Sequence, residues 1–326
     1  MLQRYLIVWL VLSSLAAFFW PQWLPAVPDI FVESKPLLPA LIALTMFAIG
    51  WMLPHDEVRQ LARRWPTVLG GTAIQYLTMP LLAYSMGHLC GLSGDYLVGV
   101  VMVGCVPGAM ASNVLTFLAR GNTSYSVSLT TSATLLCPLA VPVILGLALH
   151  MEESVDVWFL VRAGVELLLT VVVPVVVGHV LSRVFPRGEE IAKRVGIVVA
   201  NLAILWIIAV VVAVNRDRLS PSGRDVPFIS LLLALLAVNA GGYVAGYSGG
   251  AAMRLPEPMR RALTLEIGMQ NAGLGAFLAM SLFEGRGAIA IAPAMYTFGC
   301  MLTGTMLATV WARNRGCDSD ATDGKQ

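Results

Sequence analysis

Ten long apolar stretches, separated by short polar or Gly/Pro-rich breaks, occupy almost the whole of this sequence. They read as 5–20, 37–53, 66–90, 96–119, 124–149, 155–181, 191–214, 226–253, 259–283 and 288–311, and are numbered here as segments one to ten. A hydrocarbon core about 30 Å thick requires about 20 apolar helical residues, so each segment is a candidate membrane span. With 57% hydrophobic and 12% charged residues, the chain has too little polar surface to cover a water-soluble globule of 326 residues. The expectation is an all-α polytopic membrane protein in contact with a lipid bilayer. A formal charge of +2, scattered along the chain, gives no footprint for nucleic acid. The loops are too short to hold a soluble domain, and no obligate protein partner is evident.

Segment one follows Arg4 and resembles a signal peptide, but nine further apolar segments favour a retained first span. Cys90, Cys105, Cys137, Cys300 and Cys317 form no CxxC pair, which points away from disulfides and zinc. Alternating the ten segments across the bilayer places fifteen Lys and Arg on one side and six on the other. Because cytoplasmic loops concentrate these residues, both termini are expected in the cytoplasm and the protein in the cell's inner (plasma) membrane. Residues 316–326 read as a polar, disordered cytoplasmic tail.

Segments seven, eight and nine start 154, 160 and 163 residues after segments two, three and four. Five spans thus recur once, as repeat one (1–150) and repeat two (151–315) of a single transporter domain, 1–315. An odd number of spans inverts the second copy in the membrane. Polar residues recur with the spans: Gln75 opposite Asn239, and Ser112 and Asn113 opposite Gln270 and Asn271.

Glu266 lies in RALTLEIGMQNAG (Arg261 to Gly273), among otherwise apolar residues. A charged side chain at the centre of a membrane helix costs roughly 2.5–3.5 kcal/mol on insertion scales, so such a residue normally faces a cavity or a cation. Pro107 and Gly108 in segment four, and Gly268, Gly273 and Gly275 in segment nine, predict a broken helix in each half. Ser126 and Thr130 are four residues apart, on one face of segment five that can meet Ser112 and Asn113. Hydroxyl, amide and carboxylate oxygens are the donors a hard cation prefers, and Glu266 supplies the countercharge.

The stretches CVPGAMASNVLTFLARGN (Cys105 to Asn122), SVSLTTSATLLCPLAVP (Ser126 to Pro142) and LEIGMQNAGL (Leu265 to Leu274) resemble the bile acid:sodium symporter family, in particular its bacterial members. The likeness extends over essentially all ten segments. It implies a panel of segments one, two, six and seven, and a core of segments three to five and eight to ten, in which broken helices four and nine cross. It also implies two sodium ions. By motif, one ion falls to Ser112, Asn113, Ser126, Thr130 and Glu266. The second falls to the side chains of Gln75, Glu266 and Gln270 with the carbonyls of Ile267 and Met269.

The implied activity is sodium-coupled symport of an organic anion by alternating access, the cargo being a bile salt or a small carboxylate such as pantoate or a keto acid. The half-helix N-termini at Ala111–Asn113 and Asn271–Gly273 would present amide donors to that anion. Met110 and Cys300 stand where some bacterial relatives carry polar residues, so they join Ala111, Asn113, Asn271 and Gly273 as candidate substrate contacts that set the cargo.

Rival readings are proton coupling through Glu266, an arsenite-type exporter using Cys105, and a passive channel. An intramembrane enzyme would need a nucleophile such as Ser112 or Cys105, but no GxSxG or HExxH motif and no nearby histidine accompanies either. Arg162 and Glu166, four apart in segment six, are expected to pair across one helical turn. Trp20, Trp23, Trp51, Trp65, Trp158 and Trp311 near segment ends fit interfacial belts.

Overall fold

The computed structural model describes residues 6–54, 63–150, 156–185, 189–220 and 226–313, with the backbone alone for residues 150 and 189–194. Arg4, Arg59, Arg187, Arg224, Arg315, Lys325 and Cys317, and the tail 316–326, lie outside the described residues, as do the side chains of Lys193 and Arg194. The longer helices are α1 (Leu6–Trp23), α2 (Leu38–Met52), α3 (Trp65–Leu89), α4 (Gly94–Cys105), α5 (Ala111–Leu118), α6 (Thr123–His150) and α7 (Val157–Leu167). They continue with α8 (Val173–Val184), α9 (Glu189–Val214), α10 (Phe228–Ala252), α11 (Glu257–Gly268), α12 (Ala272–Leu282) and α13 (Ile291–Arg313). A π-helical turn, Leu168–Val172, joins α7 to α8. The protein is an all-helical, multi-pass membrane protein.

Among the described residues, seven helical stretches are long and apolar enough to cross a membrane unaided, and they correspond to segments one, two, five, six, seven, eight and ten. The three other segments differ for visible reasons. Helix α3 is 25 residues long but carries Thr67, Thr72, Gln75, Thr78 and His88, which lower its hydropathy. Segments four and nine are each interrupted, as α4/α5 and α11/α12. The outward faces of the long helices carry exposed Leu81, Leu139, Leu147, Ile229 and Val244, a surface suited to lipid. Trp23, Trp65 and Trp158 are exposed near helix ends, whereas Trp20, Trp51 and Trp311 are half-buried against the protein.

The helices pack in two groups. Helix α2 packs closely on α8 and α9, and α9 on α1. Two glycines permit the α2–α8 approach, because a Cβ on Gly50 would lie 2.0 Å from the Val175 carbonyl oxygen, and one on Gly178 2.2 Å from that of Phe47. In the second group α3 packs on α4, α6 and α10, α10 on α11 and α13, and α12 on α13. The groups meet chiefly where α7 contacts α6 and where α9 contacts α12.

Arg162 does not pair with Glu166. Its guanidinium reaches Glu284 at 3.3 Å, while Glu166 accepts from the Ser281 hydroxyl. The partners lie at the end of segment nine and immediately after it, a spatial neighbour that helical spacing does not reveal.

Candidate functional site

Each break has a local cause. Pro107 has no N–H to donate and holds Val106 extended (φ −76°, ψ 156°), which ends α4. Helix α11 ends without proline, and there the carbonyls that lose their helical donors find others. The Gly268 oxygen accepts from Asn239 Nδ2 and from the Tyr296 hydroxyl, both at 2.7 Å. The Ile267 oxygen accepts from Gln270 Nε2 at 2.7 Å, and the Met269 oxygen from the Ala109 amide at 2.7 Å. Three carbonyls at the end of a buried helix thereby find donors within the protein.

The two breaks touch. Gly108 and Gln270 form an antiparallel bridge, in which Ala109 N–H donates to Met269 O and Asn271 N–H donates to Pro107 O at 2.8 Å. Glycine leaves room at the contact, since a Cβ on Gly108 would lie 2.1 Å from Glu266 Oε1 and displace that carboxylate. On the far side of the break, Asn271 starts α12 by accepting the Leu274 amide on its side-chain oxygen at 3.1 Å.

Beside this crossing Glu266 is fully buried, at 0% exposure. The Ser112 hydroxyl of α5 donates to its Oε2 at 2.5 Å. The Thr130 hydroxyl of α6 lies 2.8 Å from both carboxylate oxygens, 3.1 Å from the Ser126 carbonyl and 3.4 Å from Asn113 Oδ1. One proton therefore faces four acceptors. The Ser126 hydroxyl lies 3.2 Å from Thr116 Oγ1. Among the described residues no Lys, Arg or His pairs with Glu266, and no group of three or more His, Cys, Asp or Glu converges to suit a transition metal. A buried carboxylate surrounded by more oxygen acceptors than donors offers the kind of ligands that a hard cation prefers.

A second oxygen group continues from it. Gln75 of α3 donates to Gln270 Oε1 at 3.3 Å, and Gln270 Nε2 donates to the Ile267 carbonyl, so these three buried residues are linked at the break. Each of the Ile267 and Met269 carbonyls retains a second lone pair. Sequence reasoning did not single out Thr116, Tyr296 or Thr303. Thr116 was legible as Ser112 plus four, whereas the bond from Thr303 to Asn239 Oδ1 at 2.7 Å depends on tertiary packing.

The other candidate residues are dispersed. Met110 and Ala111 are half-buried at the start of α5, with Asn113 one turn further on. Gly273 faces α9, where a Cβ would lie 3.5 Å from Ile204. Cys300 is buried in α13, with its thiol directed to the Thr297 carbonyl of its own helix at 3.6 Å.

The profile of the Sodium Bile acid symporter family matches residues 39–221. The chain belongs to this family. Sodium bile acid symporter family proteins are transporters and not enzymes. Among the relatives is "Uncharacterized sodium-dependent transporter YocS" of Bacillus subtilis (strain 168), 32% identical over 94% of this chain and 90% of its own length. "Probable sodium/metabolite cotransporter BASS1, chloroplastic" of Arabidopsis thaliana is 29% identical over 84% of this chain and 66% of its own. "Probable sodium/metabolite cotransporter BASS2, chloroplastic" of Oryza sativa subsp. japonica is 27% identical over 97% and 72%.

Proposed function

We propose that the protein is a secondary active transporter that carries an organic anion together with sodium by alternating access. The observation that carries the reading is the imbalance at Thr130, where a single proton serves four acceptor oxygens beside a buried, uncompensated Glu266. A desolvated sodium ion is a hard cation that such oxygens replace water for. The relatives' names, which speak of sodium-dependent transport and sodium/metabolite cotransport, support the same reading.

In this reading Ser112, Asn113, Ser126, Thr130 and Glu266 hold one sodium ion. Gln75, Glu266 and Gln270 with the carbonyls of Ile267 and Met269 hold the second. The anion meets the amide ends of α5 and α12 around Met110, Ala111, Asn113, Asn271 and Gly273, with Cys300 behind them. Ten spans in two inverted repeats form a core that bears the crossing and a panel built on α1, α2, α7–α8 and α9, and the two rock against each other. The termini lie in the cytoplasm and the protein in the plasma membrane. The donor set favours sodium over a proton, because both hydroxyls already donate to Glu266 and leave its charge for a cation to meet.

Two cations with a monovalent anion make uptake electrogenic, drawing on about 2.3 kcal/mol per charge per 100 mV. The test is uptake of radiolabelled carboxylates into proteoliposomes under an imposed sodium gradient, wild type against Glu266→Ala. Uptake that follows sodium and is abolished by the substitution is expected; uptake indifferent to sodium or to Glu266 refutes the reading.

A further inference from the structure

Where the two helix groups meet at the ends of α9 and α12, a cleft of about 160 Å³ opens between them. Its walls combine two chemistries. Lys35 and Arg218 bring positive charge, while Val214, Met280 and Phe283 form an apolar floor closed by the buried Asn215.

The basic residues around it are not alike. Arg216 is tied to Asp29 at 2.7 Å, Arg286 to Asp95 at 2.8 Å and Arg162 to Glu284 at 3.3 Å. Lys35 and Arg218, the two that line the cleft, form no ion pair among the described residues. Two basic side chains without an ion partner among the described residues thus line one cavity. A cleft lined by one sign of charge over low-dielectric walls focuses its field and raises the local concentration of the opposite ion.

We propose that this cleft is an outer docking site for the cargo, taking a small carboxylate whose charge meets Lys35 and Arg218 and whose carbon skeleton rests on Val214, Met280 and Phe283. The inference builds on the transport reading above and narrows it. A volume of about 160 Å³ falls below the roughly 300 Å³ at which pockets for drug-sized ligands begin, so the site fits a short acid and not a steroid. At a helical rise of about 1.5 Å per residue, Met280 lies roughly 13 Å along α12 from Asn271, which separates this site from the crossing. An anion captured here stands at the seam that opens when the groups move apart.

Val214, 37% exposed at the end of α9, offers a probe. Val214→Cys protein in phosphatidylcholine vesicles is labelled with an anionic and with a cationic methanethiosulfonate reagent, and the signal of the parent chain is subtracted. The anionic reagent is expected to react faster by about threefold or more. That preference should vanish in the Lys35→Ala/Arg218→Ala background, and short carboxylates should slow labelling only when both basic residues are present.

Equal rates for the two reagents, or a preference that survives the double substitution, overturn the proposal. So does protection by phosphatidylglycerol in the membrane without protection by free carboxylates, since the anion is then a lipid headgroup. Sodium-driven uptake measured on the same vesicles reports the transport reading separately. Carboxylate protection without sodium-driven uptake would leave the cleft standing and remove the symport. Sodium-driven uptake without protection would do the reverse.

Discussion

The hydroxyl of Ser112 donates to the carboxylate of Glu266 at 2.5 Å, joining two residues 154 positions apart in the chain. One sits just past the break in segment four and the other just before the break in segment nine, so the bond spans the crossing and ties the two halves together.

Thr130→Val removes a hydroxyl and keeps the shape. Because that hydroxyl reaches both Glu266 oxygens at 2.8 Å, sodium affinity should fall about 10- to 100-fold, the worth of a hydrogen bond to a charged group. Thr130→Ser should restore most of it. The sodium dependence of uptake, fitted for each variant, checks both.

Gly108→Ala places a methyl group 2.1 Å from Glu266 Oε1 and should cost about 1–3 kcal/mol of stability while uptake is lost. Gly299→Ala is the matched control, because nothing lies within 4 Å of its Cβ and helix propensity favours alanine by roughly 0.5–1 kcal/mol. Thermal unfolding in detergent should therefore move in opposite directions for the two.

Asn239 and Tyr296 donate to the same Gly268 carbonyl. Either Asn239→Ala or Tyr296→Phe leaves one donor in place, whereas the double variant strands a buried acceptor at the helix end. A coupling of roughly 0.5–3 kcal/mol is expected in a double-mutant cycle on thermal stability. Additive effects would mean that the two donors act independently.

Arg216 reaches both Asp29 and the Ala17 carbonyl, fastening the end of α9 to α1 and to the turn before α2. Asp29→Asn should destabilise the protein by about 1–3 kcal/mol, as a half-buried guanidinium loses its countercharge. Arg218→Ala, without an ion partner among the described residues, should leave the unfolding midpoint in place. A thermal scan of both variants separates fastening from recruiting charge.

The apolar segments were legible because a bilayer imposes one length and one polarity on every span, and most helix ends fall within a few residues of the sequence reading. The break at Pro107 was legible for a local reason, the missing amide. The break at Gly268 could only be anticipated from glycine and amide crowding, since its cause is Asn239 and Tyr296 arriving from two other helices. Glu266 declared itself by cost alone, and Ser126 and Thr130 by helical spacing. The pairing of Arg162 with Glu284 could not be foreseen, because a span end has neighbours that one helix's periodicity does not encode.

The contact at the crossing is written in main-chain atoms: Ala109 N–H to Met269 O, and Asn271 N–H to Pro107 O. Any residue but proline supplies the same amide at Ala109, and any residue at all supplies the carbonyl of Met269. The junction is therefore indifferent to what those side chains are. Side chains beside the junction, Met110 for example, are free to vary while the oxygens around Glu266 keep their alignment. Diversity of solutes on a fixed ionic currency is what a backbone rivet of this kind permits.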